Sequence, residues 1–458
     1  MDKTKITHLN EISRRKFIRN TGISALLIGN AFNKGTGIAE TVRKPNTDRY
    51  QSISLTTHEW YGDIDERLDL PKEWKVETLH NGTLSQPQLT IDEMRKAIRN
   101  PIGTKPLRDI AAGKKTAVIL FDDLSRPTPA NTIAPLVIEE LHAGGIKDEN
   151  ILFISMIGSH WAMTHDQVLA KLGFPIVDKY PWINHNVFDN FAKLGKTSGG
   201  IPVEVNYYFY TADVKVAIGN LKKHGHPGYS GGAKAIIPGV SSIDSIQSFH
   251  TNTMDGKLGS IFHNKSRDNM EEYAYMAGLD FVTQSVCNGH RNIIRLWSGD
   301  LRAAFRRGVP EAAKLYETTP VKDADVVIAN AYPYTIEEWG KFDWANWSLR
   351  QGGTAIAIFQ MPLGRVPMHY WGERSGFRKK SYWDSVNIED PVPNAGQIII
   401  YSQYLHRRDL HYPEGRVKLC RTWDEVLKLV EKKHGAGTRC AVYPYVGIQH
   451  EPITVDQA

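Results

Sequence analysis

TAVILFDDLSRPTP, residues 116–129, sets the reading of the whole chain. Thr116–Phe121 is a short apolar run of the kind that forms a buried strand. It breaks into a polar motif, Asp123-x-x-Arg126-Pro127-Thr128-Pro129, and a helical segment follows to about His142, stopped at Gly144-Gly145. The same order recurs at Asn150–Met156, which runs into Ile157-Gly158-Ser159-His160 and a helix capped by Thr164 with Gln167 three residues on. Val214–Ile218 is a third strand and leads to a glycine-rich loop around residue 230. Strands separated by helices imply parallel βαβ units. Ligands of such sheets gather beyond the carboxyl ends of the strands. Each polar motif comes directly after a strand, so the motifs are expected to share one site.

A second α/β series begins near Ala324 (ADVVIANAYP). It continues through Thr354–Gln360, Gln397–Ser402, a helix over Asp424–Lys433 and a strand over Cys440–Val446. The expected fold is α/β in two domains, each a mainly parallel sheet flanked by helices, with the active site in the cleft between them. Residues 1–45 read as a leader and linker, 46–315 as the catalytic and cofactor-binding domain, and 316–458 as a C-terminal α/β domain whose last residues pack back on the first. Residues 40–55 are polar and read as linker.

With 458 residues, 41% of them hydrophobic, the chain can bury large cores without staples. Its net charge of +6 forms no long basic stripe, so nucleic acid is not an expected partner. Cys287, Cys420 and Cys440 include no CxxC pair, which points away from a zinc knuckle or a disulfide framework. Part of the positive charge lies in Lys3, Lys5, Arg14, Arg15, Lys16 and Arg19. There Ser-Arg-Arg-Lys-Phe-Ile (13–18) precedes a mild apolar stretch, Gly22 to Phe32, too short for a membrane span. The pattern looks like a twin-arginine export signal, with Gly37-Ile38-Ala39 as a candidate cleavage site. A periplasmic or otherwise exported location is the resulting expectation, with the twin-arginine machinery as a partner.

Three motifs carry chemistry. In the first, Ser125 or Thr128 can cap the following helix and Pro129 suits its first turn. Such a helix start offers N–H groups to an anion, and Arg126 adds a planar donor fork; the alternative is a structural turn with one ion pair. In the second, His160 ends a strand, as a functional imidazole or as a hydrogen-bonded structural one. The third is HGHPGYSGGAKAIIPGVSSIDSIQSFH, residues 224–250. Gly228, Gly231 and Gly232 permit close approach of backbone to a bulky ligand. Lys234, among glycines and apolar residues, can be a nucleophile or attachment point, or alternatively a phosphate-binding lysine. The stretch is neither GxxxxGK[ST] nor GxGxxG. His224, His226 and His250 do not have HExxH or finger-type zinc spacing.

These motifs together, Asp123-x-x-Arg126-Pro127-x-Pro129, Gly158-Ser-His160 and His224…Gly228-Tyr-Ser-Gly-Gly-x-Lys234…Pro238-Gly239…His250, resemble the lactate racemase family. Ser298-Gly299-Asp300-Leu301-x-Ala303-Ala304 fits as well. The resemblance implies a racemase or epimerase of a 2-hydroxy acid that works by proton-coupled hydride transfer through a 2-keto acid. It implies a nickel-pincer nucleotide held covalently on Lys234, with Gly231 and Gly232 beside it and His250 on the nickel. It makes His160 and His224 the acid–base pair, and Asp123 and Arg126 residues of the cofactor and substrate pocket. Arg126 would hold the carboxylate or the developing keto oxygen. His226 receives no role from it. Cofactor-maturation enzymes are implied partners. Where the lactate enzymes carry a substrate-reaching glutamine and lysine after a Tyr-Pro pair, this chain continues from Tyr332-Pro333 with YTIEEWGKFDWANW. An ungapped reading places Gly340 and Asp343 at those positions, Lys341 is out of step, and Trp339, Trp344 and Trp347 are expected to pack in a core or between domains. The substrate is therefore expected not to be lactate. An exported 2-hydroxy acid binding protein, a dehydrogenase on the same fold and a zinc hydrolase built on the histidines are the competing readings.

Overall fold

The computed structural model describes residues 48–252, 256–338, 342–364, 366, 390–410, 413 and 415–458. The arginine pair at 14–15, its apolar stretch, the candidate cleavage site, Trp339, Gly340 and Lys341 lie outside the described residues.

Two six-stranded sheets organise the chain. Their strands are β1 (Lys75–Thr78), β2 (Ala117–Phe121), β3 (Ile151–Ser155), β4 (Trp182–Asn184), β5 (Val214–Asn220), β6 (Phe281–Cys287), β7 (Ile293–Gly299), β8 (Ala324–Asn330), β9 (Leu349–Ile358), β10 (Gln397–Tyr401), β11 (Val417–Cys420) and β12 (Arg439–Tyr443). The first sheet has the order β7-β6-β5-β2-β3-β4. It is parallel except for β7, which returns antiparallel to β6. The second, β11-β10-β9-β8-β12-β1, is parallel throughout. Every residue of β2 and of β6 is buried, as strands covered on both faces by helices must be. The helices Ala130–Ala143 and Ala303–Tyr316 each turn a row of apolar residues inward.

The order of the first sheet decides where a ligand can sit. From β2 the chain steps outward to β3 and β4, then returns to lay β5 and β6 on the other side of β2. Connections leaving β2 and β5 therefore diverge, and a crevice opens beyond their carboxyl ends.

The expected elements appear, with shifted ends. The Thr164 capping box is present, its hydroxyl accepting from the Gln167 N–H while the Gln167 side chain accepts from the Thr164 N–H. The cap expected before the helix Ala130–Ala143 is not: Pro129 is the cap residue and no side chain bonds the helix start. Both candidate hydroxyls are occupied by carboxylates, since Thr128 donates to Asp122 and Ser125 to Asp123. The linker expected over 40–55 is also corrected. Tyr50–Thr57 is a strand paired with Ile64–Pro71, because Ile53 and Leu55 alternate with serines at the period of a strand. Trp344 and Trp347 pack in the core as expected, Trp344 beside Phe342 with ring centroids 5.6 Å apart. The three cysteines are buried and unbridged.

Candidate active site

The crevice holds a cavity of about 630 Å³, the size of a pocket for a small ligand. Asp123, Arg126, His160, His224, Gly231, Gly232, Lys234 and His250 all line it, so the residues to which the resemblance gives a role lie around one cavity. All the lining residues come from positions 122–284, that is, from the first sheet and its loops.

The loop after β2 supplies Asp123 and Arg126. Asp123 is buried and accepts from the Ser125 N–H at 2.8 Å through Oδ1. Its Oδ2 lies 2.7 Å from Nδ1 of His160. Burial pushes the Asp123 carboxyl up, but His160, Arg126 and Ser125 outweigh it and hold the group well below the usual carboxylate range. Asp123 is thus an anion that fixes the His160 ring with Nδ1–H toward it, which leaves Nε2 as the acceptor nitrogen of the ring. Trp161 stacks on that ring, with centroids 6.2 Å apart.

Beneath the loop lies Lys171, which sequence reasoning missed. It ends the helix His165–Leu172, where a lysine ordinarily faces water, yet it is fully buried. Its Nζ pairs with Asp122 Oδ1 at 2.6 Å and donates to the carbonyls of Asp123 at 3.0 Å and Arg126 at 2.7 Å. The carbonyls on either side of the polar turn are thereby tied to one point. The doubled aspartate, Asp122-Asp123, is the trace of this arrangement in the sequence: one faces the cavity histidine, the other the lysine.

The third motif begins as a hairpin, Lys222–Lys223 paired with Tyr229–Ser230, whose connecting residues carry His224 and His226. Gly231 and Gly232 come next with φ of +121° and +60°, a turn that L side chains rarely adopt. A short 3₁₀ turn, Gly232–Ala235, then presents Lys234. Arg267, also unforeseen, clamps this loop. Its guanidinium is fully buried over the Phe305 ring and donates to the carbonyls of Pro227, Tyr229 and Gly231. From β6, Gln284 accepts the Gly232 N–H at 2.6 Å. The polar run Thr283-Gln284-Ser285 between apolar strand ends was the available signal for it.

His250 stands on the helix Ile243–Asn252. Its Nδ1 lies 2.8 Å from the Ile246 carbonyl, which makes Nδ1 the protonated nitrogen and leaves Nε2 as the ring's acceptor atom. Burial, with Lys234 and His226 adding positive field, brings its pKa down to about 4. The ring is neutral near pH 7, as a metal ligand must be. Among the described residues no three His, Cys, Asp or Glu side chains gather as a metal site. A metal held through His250 would take its other donors from a bound group. His226, without an assigned role in the sequence, lines the cavity too.

Asn220, which lines the cavity, donates through Nδ2 to the hydroxyl of Tyr334, four residues past β8 of the second sheet, at 2.5 Å. Lys222 lies over the Tyr334 ring at 3.9 Å.

Residues 61–259 match the family model described as the lactate racemase N-terminal domain. The lactate racemase of Lactiplantibacillus plantarum is 24% identical over 80% of this chain and 91% of its own length. That of Thermoanaerobacterium thermosaccharolyticum is 28% identical over 61% of this chain and 67% of its own length. Among solved structures, the lactate racemase apoprotein of T. thermosaccharolyticum superimposes with a TM-score of 0.65 at 21% identity, over 88% of this chain and all of that one.

Proposed function

From its membership of the lactate racemase family, we propose that this chain racemises or epimerises a 2-hydroxy acid with a nickel-pincer nucleotide attached to Lys234. The observation that supports this best is that Lys234, His250, His160 and His224 line one cavity with Asp123 and Arg126. The residues fit the cofactor. Lys234 emerges from a turn that has no Cβ at two successive positions, and His250 offers a neutral Nε2. When bound, the cofactor supplies a hydride acceptor.

The chain handles the proton and the carboxylate. The C2–H of a hydroxy acid is barely acidic, whereas its hydroxyl proton can pass to an imidazole as the hydride leaves. His160, oriented by Asp123, takes that proton at Nε2 from one enantiomer. His224, on a separate element, serves the other. Arg126 binds the carboxylate and stabilises charge as the keto oxygen develops. Lys171 holds the loop that carries Asp123 and Arg126, and Arg267 holds the glycine loop that leads to Lys234.

The substrate is proposed to be larger than lactate, a sugar acid or an aryl-substituted acid. Gly340 and Asp343 stand where the lactate enzymes have a glutamine and a lysine, and Asp343 opens the helix Asp343–Ser348. The arginine pair before residue 22 supports export in folded form to the periplasm, after maturation enzymes have loaded the cofactor.

Intact-protein mass and metal analysis on protein from its native periplasm test the reading. A mass excess on the Lys234 peptide together with nickel is expected, and is lost in Lys234→Ala with activity while the chain stays folded. Chiral analysis of the product is expected to give the mirror or epimeric acid without net oxidation. An unmodified lysine without nickel refutes the cofactor, and net oxidation indicates a dehydrogenase.

A further inference from the structure

Gln284 sits on β6 beside the glycine turn and is 2% exposed. Its Oε1 accepts the Gly232 N–H at 2.6 Å. That bond settles which end of the amide is which, since a backbone N–H needs an oxygen opposite it. The Nε2 is left as a buried donor with no hydrogen-bond partner among the described residues. The side chain lines the same cavity as Lys234, two residues beyond the N–H it holds. Leaving a buried amide donor unmade is costly, so such a donor in a ligand cavity implies a ligand atom that completes it.

The turn has little freedom to relax around this amide. A Cβ on Gly231 would stand 2.6 Å from the same Oε1 and 2.5 Å from Leu221 Cδ2. Arg267 ties the carbonyl of Gly231 from beneath at 3.1 Å. The amide is therefore held with its oxygen on the loop and its nitrogen as the remaining donor.

We propose that Gln284 is a ligand-binding residue with two separable duties. Its Oε1 sets the turn that presents Lys234. Its Nε2 donates to an acceptor atom, of carbonyl, thiocarbonyl or phosphoryl type, on the group attached through Lys234. This inference rests on the reading that Lys234 carries a covalent adduct.

The test compares full-length wild type, Gln284→Glu and Gln284→Met from a host that makes the cofactor. Intact mass gives the adduct fraction on soluble, folded chain, and thermal melting of adduct-free chain reports the turn. Glu keeps an acceptor for the Gly232 N–H, which favours its ionised form, but turns the donor into a second acceptor. Met keeps the length and loses both groups. The expected result is a Glu variant that melts with wild type while its adduct fraction falls about tenfold, one hydrogen bond's worth. The Met variant is expected to lose adduct and also to melt lower. Full adduct on Gln284→Glu overturns this inference alone and leaves Gln284 as a prop for the turn. No adduct on the wild-type chain overturns it together with the cofactor reading.

Discussion

Replacing Lys171 by methionine removes a charge from a fully buried site. Lys171 is fully buried, and its partner Asp122 is 6% exposed, with Nζ and Oδ1 2.6 Å apart. Deleting one member of such a pair leaves the other ion buried and uncompensated, at a cost of about 3–5 kcal/mol. The entropy of unfolding is roughly 2.1 cal/mol/K per residue, so a folded region of roughly 400 residues should lose about 4–6 °C in Tm. The two carbonyls that Nζ holds, those of Asp123 and Arg126, would be released at the same time. Activity should therefore fall by more than the melting change explains at a temperature where the variant is still folded. A second variant, Asp122→Asn with Lys171→Met, removes both charges but keeps an acceptor for the Thr128 hydroxyl. It should recover at least half of the lost Tm without recovering activity. Calorimetry on the three proteins, beside steady-state rates, makes the comparison. A Lys171→Met chain that melts within about 1 °C of wild type would refute the argument that this ion pair is buried and mutually dependent.

Asp123→Asn keeps the shape but loses the anion facing His160; kcat is expected to fall by about 10²–10⁴, read as initial rates from each enantiomer. Because the folded Asp123 carboxyl titrates below its unfolded value, its contribution to stability is full above the ordinary carboxylate range and is lost as the pH falls toward the folded value. The acid limb of a stability–pH curve should accordingly be shallower in Asp123→Asn than in wild type. If His160 and His224 are the proposed hydroxyl-proton acceptors, His160→Ala and His224→Ala should each block complete racemisation; chiral chromatography over time shows whether either variant still reaches a 1:1 mixture. Gly231→Ala forces a Cβ to 2.5 Å from Leu221 Cδ2 at a φ of +121°, so a loss of about 1–3 kcal/mol is expected, with loss of the Lys234 adduct. Melting and intact mass report both.

The parts of this site legible in the sequence were those whose chemistry is local. TAVILF, ILFIS and VKVAI are apolar over the length of a strand, and each gives way to a polar segment, so the site's position at the strand ends was readable. The turn at Gly231-Gly232 was readable because only glycine accepts those dihedrals cheaply. Lys171, Arg267 and Gln284 were not, because their roles are set by segments distant in the chain. Lys171 bonds a loop 45 and 48 residues away, and Arg267 one 36 to 40 residues away. On their own helices both look like solvent-facing cations. The hydroxyls of Ser125 and Thr128 were misassigned for a related reason: a helix start and a neighbouring carboxylate compete for the same side chain, and the carboxylate won both times.

The second sheet takes its edge strand, β1 at Lys75–Thr78, from ahead of the entire first sheet, and pairs it with β12 at Arg439–Tyr443. In the opposite direction, Asp456 accepts from the backbone of Ile261, Phe262 and His263, and its own N–H reaches Gly259. Gly259 in turn bonds Gly228 at the head of the glycine loop. The chain is laced to itself across its length, so neither sheet is a separable cassette. During synthesis β1 waits, unpaired, until residues 439–443 have been made, and the loop bearing Lys234 gains the support of Asp456 later still. Closure over so long a stretch is slow, because the loop entropy must be met before the contacts form. A nascent chain of this protein therefore carries β1 as an unpaired strand for as long as β12 is missing, with its backbone N–H and C=O groups open to other strands.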